Sequence, residues 1–241
     1  MPAPETVCPR CHDTGFEIVE SPEGRTGAVP CACRRDDRAD RLLEQARIPR
    51  RYLRCDFENY DEISPSQRIA KALVEKFARE YPAANSGLLL MGPSGVGNTH
   101  LAVALIRYLV RQKGVPCLFY DFQDLLKEIQ NSYNPDSGTS ELGILQPIFA
   151  AEVLVLDDLG ARKPTMWLEE TLAHIISTRY NDVKTTIFTT NYLDSPVPKN
   201  DPALMERIGA RVRSRLHEMC RVVEISGDDY REKVRKADIR R

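Results

Sequence analysis

Short apolar runs alternate with amphipathic segments along most of this chain. The five runs lie at 88–91, 117–120, 153–156, 186–189 and 222–225. Runs of this length without polar alternation are typical of strands that are buried on both faces. Because helical patterns separate them, they predict a parallel β-sheet between layers of helices.

The segments between the runs have the helical spacing of apolar residues. The predicted helices lie at 67–81, 99–113, 122–132, 142–150 and 166–180. Ser66 is placed to cap the first of them, and the polar stretch at 133–140 is predicted to be a loop. We therefore expect the main domain to occupy 65–241.

The first 64 residues follow a different pattern. Up to Cys33 the chain is rich in glycine and proline and has no apolar pattern that could form a core. From 34 to 54 it carries eight arginines against four acidic residues, and a short helix there should end before Pro49. We predict a cysteine-rich zinc-binding module at 1–36 and an Arg-rich linker helix and connector at 37–64.

The composition is that of an ordinary globular protein. Hydrophobic residues make up 42% and charged residues 29%, and no apolar run approaches the roughly twenty residues of a membrane span. The net charge of -1, from 34 basic and 35 acidic residues, is unlike that of a protein that coats nucleic acid. Because the N-terminus lacks the features of a signal peptide, we expect a cytoplasmic protein with reduced thiols and no membrane partner.

A glycine-rich loop follows the first apolar run and precedes a helix, which is the order of a Walker A phosphate-binding site. Its backbone N–H groups and the helix N-terminus would surround the β-phosphate of ATP, and the hydroxyl of Thr99 would bind Mg²⁺. A glycine-rich turn without a ligand is the alternative. The predicted ATP-binding residues are Gly92, Pro93, Ser94, Gly95, Val96, Gly97, Asn98, Thr99 and His100.

Asn98 occupies the Walker A position at which lysine is expected. Asparagine keeps a hydrogen-bond donor but lacks the positive charge that bridges the β- and γ-phosphates. A charged hydrogen bond contributes about 1.5–3 kcal/mol, so we expect ATP binding to weaken roughly ten- to a hundredfold. Hydrolysis should be impaired for the same reason.

Two adjacent carboxylates end the third apolar run, in the Walker B pattern. Asp157 would hold Mg²⁺ through water, and Asp158 would act as a catalytic residue by polarising the attacking water. A pair of aspartates at a strand end can instead cap a helix, which is the structural alternative. The phosphate loop earlier in the chain favours the catalytic interpretation.

Two later segments resemble parts of AAA+ ATPases. The run at 185–191 resembles the sensor-I strand, which implies that Asn191 contacts the γ-phosphate and the attacking water; a turn-forming asparagine is the alternative. The segment at 207–216 resembles the one that carries the arginine finger, which implies a catalytic role for Arg215, with Arg213 as the second choice. A solvated basic helix face is the alternative there.

Four of the seven cysteines lie within the first 33 residues. Cys8, Cys11, Cys31 and Cys33 supply four thiolates, which in a reducing compartment favour a closed tetrahedral Zn²⁺ site, with His12 as a reserve ligand. Redox catalysis by the Cys-x-x-Cys pair is the alternative, but no thioredoxin-like βαβ pattern surrounds it. The remaining cysteines are predicted to be buried small residues: Cys55, Cys117 and Cys220.

Several segments together resemble the DnaC/DnaI-type helicase loaders and the IstB-like proteins of the AAA+ class. They lie at 48–52 with Phe57, 92–100, 156–160, 179–181, 189–192 and 213–220. The resemblance implies an α/β P-loop fold of the ASCE type, with a five-stranded parallel sheet in the order 5-1-4-3-2 and no C-terminal lid. The short basic tail that follows Ile225 is consistent with a missing lid.

The same resemblance implies a function in DNA replication. ATP would drive self-association into an oligomer, and the partners would be a replicative helicase and single-stranded DNA. In the Bacillus-type loaders a zinc-containing N-terminal domain binds the helicase, which implies that the cysteine module is a docking element. Contact with nucleic acid is the alternative, and the Arg-rich segment up to Arg54 could contribute to either role.

Three functions remain open on the sequence alone. The first is an ATP-binding helicase loader with impaired hydrolysis. The second is an IstB-like transposition helper, although such proteins usually carry a helical N-terminal domain in place of a cysteine module. The third is an adaptor that does not respond to nucleotide and keeps the ATPase fold as a scaffold, an option that Asn98 leaves open.

Overall fold

Two strands and a helix form the N-terminal part of the protein. In the computed structural model, which describes residues 8–12, 14–20, 24, 26–83, 86–195 and 202–233, strands β1 (Phe16–Glu20) and β2 (Thr26–Pro30) pair antiparallel. Helix α1 (Ala32–Gln45) follows and ends before Pro49, as predicted. A 3-10 turn at Arg50–Tyr52 then leads into the connector.

A five-stranded parallel sheet organises the rest of the chain. Its strands are β3 (Gly87–Met91), β4 (Cys117–Asp121), β5 (Val153–Asp157), β6 (Thr185–Thr190) and β7 (Cys220–Glu224). Their spatial order is β4-β5-β6-β3-β7, which is the order 5-1-4-3-2 read from the opposite edge. The predicted fold class and strand order are therefore confirmed.

Helices cover both faces of this sheet. They are α2 (Pro65–Glu80), α3 (Asn98–Lys113), α4 (Phe122–Ser132), α5 (Glu141–Ala150), α6 (Met166–Asn181), α7 (Leu204–Ile208), α8 (Ala210–Met219) and α9 (Tyr230–Lys233). The first five match the predicted helices closely, and the predicted loop at 133–140 contains only a short 3-10 turn. Among the described residues, no helix has both the length and the apolar character needed to cross a membrane.

Two hydrophobic cores, one on each face of the sheet, hold the strands between the helices. In β3, Leu88 and Leu90 pack into the core on the side of α2 and α3, whereas Leu89 and Met91 pack into the core on the side of α4, α6 and α8. Because both faces of the strand are buried, its sequence is continuously apolar and does not alternate.

The start of α2 differs from the prediction by two residues. Ser64, and not Ser66, is the N-cap: its hydroxyl accepts the backbone N–H of Gln67, and the Gln67 side chain accepts the N–H of Ser64. Pro65 fits at the first helical position because no backbone donor is needed there. The hydroxyl of Ser66 instead accepts the backbone N–H of Ser226, 2.9 Å away, and so ties the helix to the segment after β7.

The connector before α2 packs against the main body of the protein. Ala46, Ile48, Phe57 and Tyr60 are buried in the core on the α2 and α3 side. The backbone N–H of Phe119 in β4 donates to the carbonyl of Ala46 at 2.8 Å. The division at residue 64 stays a prediction, and these contacts support a main body that includes most of the connector.

A fully buried arginine joins α6 to the sheet. Arg179 donates to the hydroxyl of Thr186 and to the carbonyls of Ile148, Ala151 and Thr185, at 2.6–2.9 Å. Its burial lowers the pKa of the guanidinium to about 10. With no carboxylate among these partners, Arg179 fixes the ends of three elements and belongs to the scaffold.

Candidate nucleotide site and cysteine cluster

The phosphate loop lies between β3 and α3, at the carboxyl end of the sheet. Gly95 and Gly97 have positive backbone φ angles of 86° and 103°, which glycine adopts without strain. A Cβ atom on Gly97 would overlap the ring of Tyr60. The loop opens onto a cavity of about 940 Å³, which the 3-10 turn, the ends of β5 and β6 and the start of α9 also line.

Residues 94–100 of the predicted ATP-binding set line this cavity, whereas Gly92 and Pro93 do not. Gly92 has a packing function instead, because a Cβ atom there would overlap the carbonyl of Ile225. His100 lies at the cavity edge, where its ring packs edge-on against Tyr60 and its Nε2 is 2.9 Å from the carbonyl of Asp56. Burial lowers the pKa of His100.

The Walker A and Walker B residues meet at the floor of the cavity. The hydroxyl of Thr99 donates to Oδ1 of Asp157 at 2.9 Å, and the hydroxyl of Thr189 donates to the same oxygen at 2.6 Å. Burial raises the pKa of Asp157 to about 6, and these hydrogen bonds oppose that rise. A hydroxyl and a carboxylate are oxygen donors of the kind that Mg²⁺ prefers, so the pair fits that ion.

Asp158 is held in position by two side-chain amides. Nδ2 of Asn191 donates to Oδ1 at 2.8 Å, and Nε2 of Gln123 lies 3.4 Å from Oδ2. Asp158 has a positive φ of 57°, which aspartate tolerates better than most residues. The structure thus brings Asp158 and Asn191 together as the sequence suggested, and it adds Gln123, whose place in the sequence gave no signal.

Asn98 is turned into the protein. Its Nδ2 donates to the carbonyls of Gly92 at 2.8 Å and Thr190 at 3.2 Å, and the residue is only 6% exposed. Its Oδ1 is buried without a hydrogen-bond partner among the described residues. The donors of Asn98 are therefore used by the backbone, and the lining of the cavity at this point is an uncharged amide.

The arginines of α8 lie in three different environments. Arg213 is buried and forms a bidentate ion pair with Asp194, which lowers the pKa of that carboxyl. Arg215 is half-buried and donates to the hydroxyl of Ser177 in α6. Arg211, which is not among the predicted site residues, is exposed. None of these three arginines is among the described residues that line the nucleotide cavity.

The four predicted zinc ligands converge beside the β1–β2 hairpin. Their Sγ atoms all lie within 4.8 Å of one another, with Cys8 and Cys31 3.9 Å apart and Cys11 and Cys33 3.3 Å apart. Tetrahedral zinc with four thiolates requires sulfur atoms about 3.8 Å apart, so the arrangement fits this ion. Backbone hydrogen bonds involving Cys11 and Arg10 lower the pKa of Cys8 to about 7. The hydrogen bond to Glu17 raises the pKa of Cys31, and the hydrogen bond with Cys11 raises the pKa of Cys33 to about 11.

The other predicted cysteine environments are mixed. Cys117 and Cys220 are buried, as predicted, whereas Cys55 is half-buried at the edge of the nucleotide cavity. His12, the reserve ligand, lies outside the four-thiol group. The end of the predicted basic tail, at 234–241, lies outside the described residues.

The sequence is similar to a known protein family and to several helicase loaders. The family described as IstB-like ATP binding protein matches residues 30–238. The replicative helicase loader DnaC of Escherichia coli is 24% identical over 226 residues, which cover 92% of this chain and 88% of the relative. The DnaC of Buchnera aphidicola from Schizaphis graminum is 26% identical over 173 residues, which cover 72% of this chain and 69% of the relative.

The fold is also similar to solved structures of helicase loaders. A crystal structure of the DnaC helicase loader is 33% identical, with a TM-score of 0.64, and the match covers 73% of this chain and 99% of that protein. A crystal structure of DnaI is 26% identical, with a TM-score of 0.63, and the match covers 74% of this chain and 95% of that protein.

Proposed function

Because this chain belongs to the family of IstB-like ATP-binding proteins, we propose that it binds ATP beside the phosphate loop and loads a replicative helicase. The observation that carries the proposal is that two hydrogen-bonded pairs, Thr99 with Asp157 and Asn191 with Asp158, line one cavity in a chain similar to DnaC. A structural turn would not require these four polar side chains to meet.

Each residue of the site has a distinct role in this proposal. The backbone N–H groups of 94–99 bind the phosphates, and Thr99 and Asp157 hold Mg²⁺, which neutralises phosphate charge when bound. Asp158 orients the attacking water, and Asn191 holds Asp158 in place. Hydrolysis is slow, because the amide of Asn98 cannot balance the charge that spreads over the γ-phosphate oxygens.

We propose that the chain acts as an ATP-bridged oligomer, in which an arginine of α8 reaches the nucleotide of the neighbouring subunit. Arg215 is the predicted residue, but it must first leave Ser177. The exposed Arg211 can reach a neighbour without breaking an internal contact, so it is the alternative. The buried ion pair of Arg213 with Asp194 supports a structural role for that residue.

The cysteine cluster is proposed to be a zinc module that docks onto the helicase, with single-stranded DNA as a further ligand of the assembly. The apolar side chains of its hairpin support a docking role, because Ile18 is 80% exposed and Phe16, Val19 and Val29 are also exposed. Four thiolates close the coordination sphere, so the ion would serve structure and not catalysis.

A binding experiment tests the proposed function. The purified chain should bind ATP with Mg²⁺ and co-elute with the replicative helicase of the same organism, and Asp157→Asn should reduce Mg²⁺-dependent ATP binding without loss of fold. Ser214→Ala, at an exposed position of α8, provides the matched control. Co-elution with a transposase and not with the helicase would instead identify a transposition helper.

A second candidate is supported by one observation, the use of both donors of Asn98 by backbone carbonyls. This arrangement needs no nucleotide, so it suits an adaptor that keeps the fold as a scaffold. Helicase binding that is equal with ATP, with ADP and without nucleotide, in a chain with no measurable ATP affinity, would favour the adaptor.

A further inference from the structure

The nucleotide cavity contains positive charge that does not come from the phosphate loop. Arginines at 50, 51 and 54 line it on the side of the 3-10 turn, and Arg231 lines it on the side of α9. A triphosphate carries several negative charges, whereas the phosphate loop at 92–99 carries no basic side chain. Mg²⁺ would balance part of this charge, and a basic side chain on another wall of the cavity can supply the charge that the missing lysine would have supplied.

The segment that carries Arg231 is attached to the phosphate loop. The backbone N–H of Tyr230 donates to the carbonyl of Gly95 at 3.2 Å. The side chain of Asp229 packs against Gly95 so closely that a Cβ atom there would overlap it. The phenol of Tyr230 donates to Asp61 at 2.7 Å, which fixes the other side of the segment to the connector.

Arg231 directly follows Tyr230, whose backbone contacts the phosphate loop. Its Nε is 3.3 Å from Oδ1 of Asp229, and about half of its side chain is exposed, so the guanidinium can exchange this carboxylate for another anion. Its charge acts within the cavity: burial raises the pKa of the Tyr52 phenol, the charge of Asp157 raises it further, and the charges of Arg51 and Arg231 lower it. Arg231 and Asp157 both line this cavity.

We propose that Arg231 binds the phosphates of the nucleotide and replaces the missing lysine of the loop. The inference rests on the proposed ATP binding and assigns one more residue to that site. A planar guanidinium can bind two phosphate oxygens at once with a fixed bidentate geometry. Arg231 is favoured over Arg51 because its segment is hydrogen-bonded to Gly95, whereas the guanidinium of Arg51 lies over the ring of Tyr52.

Calorimetric titration of the full chain with ATP, ADP and adenosine tests this assignment. Arg231→Gln should weaken ATP and ADP binding roughly tenfold or more and leave adenosine binding unchanged, because only the phosphates lose a charged partner. Arg221→Gln, at an exposed position of β7 away from the cavity, should bind all three ligands as the unaltered chain does. Arg231→Lys should retain part of the affinity.

A second substitution separates this role from an effect on folding. In an Asn98→Lys background the loss caused by Arg231→Gln should shrink to about threefold or less, because the two cations serve the same phosphates. If Arg231→Gln weakened adenosine binding as much as ATP binding, or weakened ATP binding no more than Arg221→Gln does, the assignment of Arg231 would be overturned. The proposed binding of ATP by the chain would not be affected by either result. No ATP binding by the unaltered chain at millimolar concentration would overturn the proposed function as well.

Discussion

Asn98 is the residue at which this site departs most from an ATPase. The other polar side chains of the site are hydrogen-bonded in pairs: Thr99 donates to Asp157, and Asn191 donates to Asp158. These residues could be predicted because each follows a buried strand or a glycine loop in a fixed order. Gln123 could not, because its contact depends on where α4 begins beside β5.

We expect Asn98→Lys to tighten ATP binding roughly ten- to a hundredfold and to produce measurable hydrolysis. The new ammonium would replace the amide beside Gly92 and supply the fixed charge that phosphoryl transfer requires. Steady-state phosphate release with Mg²⁺, DNA and helicase present measures this. Asn98→Gln, which adds length without charge, is the control, and turnover by Asn98→Lys no faster than by this control would contradict the prediction.

The arginine of α8 can be identified in the same Asn98→Lys background. Arg215→Ala should lower turnover by about a thousandfold or more and change ATP affinity less than threefold, because a finger acts on the neighbour's γ-phosphate. Arg211→Ala is the matched comparison. If Arg211→Ala shows the loss and Arg215→Ala does not, the finger is Arg211, and equal losses of turnover and binding would argue against a finger.

Arg179 offers a prediction about stability. Arg179→Ala should lower the free energy of unfolding by about 3 kcal/mol or more, because three buried carbonyls and a threonine lose their donor. The exposed Arg111→Ala should change it by less than about 0.5 kcal/mol. Urea denaturation followed by circular dichroism measures both, and similar values for the two variants would show that the buried hydrogen bonds contribute little.

At the scale of elements, the strands of the sheet could be predicted because each is a continuous apolar run. Helices α2 to α6 could be predicted because apolar residues recur at helical spacing over most of their length. The start of α2 could not be placed to the residue, since two serines flank Pro65 and only the backbone decides which one caps the helix. The connector was harder still. Its buried residues, among them Ile48 and Phe57, are scattered without a period, so burial there depends on contacts made after the sheet has formed.

The cysteine cluster should hold one zinc ion per chain. Cys33→Ser should lower the metal content to below half an equivalent, because the remaining thiolates cannot close a tetrahedral site. Cys55→Ser, outside the cluster, should retain a full equivalent. Metal analysis of freshly reduced protein measures this, and less than half an equivalent in the unaltered chain would refute the prediction.

At the scale of the whole molecule, the strand order determines which distant segments meet. β7 is the edge strand beside β3, so the chain that leaves β7 passes the phosphate loop and places Arg231 there. The resemblance to helicase loaders predicted this order, whereas apolar runs alone do not show which strands are neighbours. The contact between Tyr230 and Gly95 could therefore be found only in the structure.

The packing of the connector predicts the outcome of truncation. A fragment of residues 37–241 should fold and melt cooperatively without the cysteine cluster. A fragment of residues 65–241 should be largely unfolded, because it lacks Ile48, Phe57 and Tyr60, each worth about 1.5–3 kcal/mol of burial in a protein whose total stability is about 5–15 kcal/mol. Thermal denaturation compares the two fragments. Equal melting temperatures would support the predicted domain boundary at residue 64.

The presence of asparagine at position 98 also has a genetic consequence. Asparagine and lysine codons differ only at the third base, so one point mutation at codon 98 separates this chain from one with a complete Walker A motif. Asp158 and Asn191 are already hydrogen-bonded to each other at the cavity, so we expect that no second mutation is required there. In a population selected for ATP turnover, mutants with lysine should therefore arise at codon 98 first, and sequencing of that codon would show whether they do.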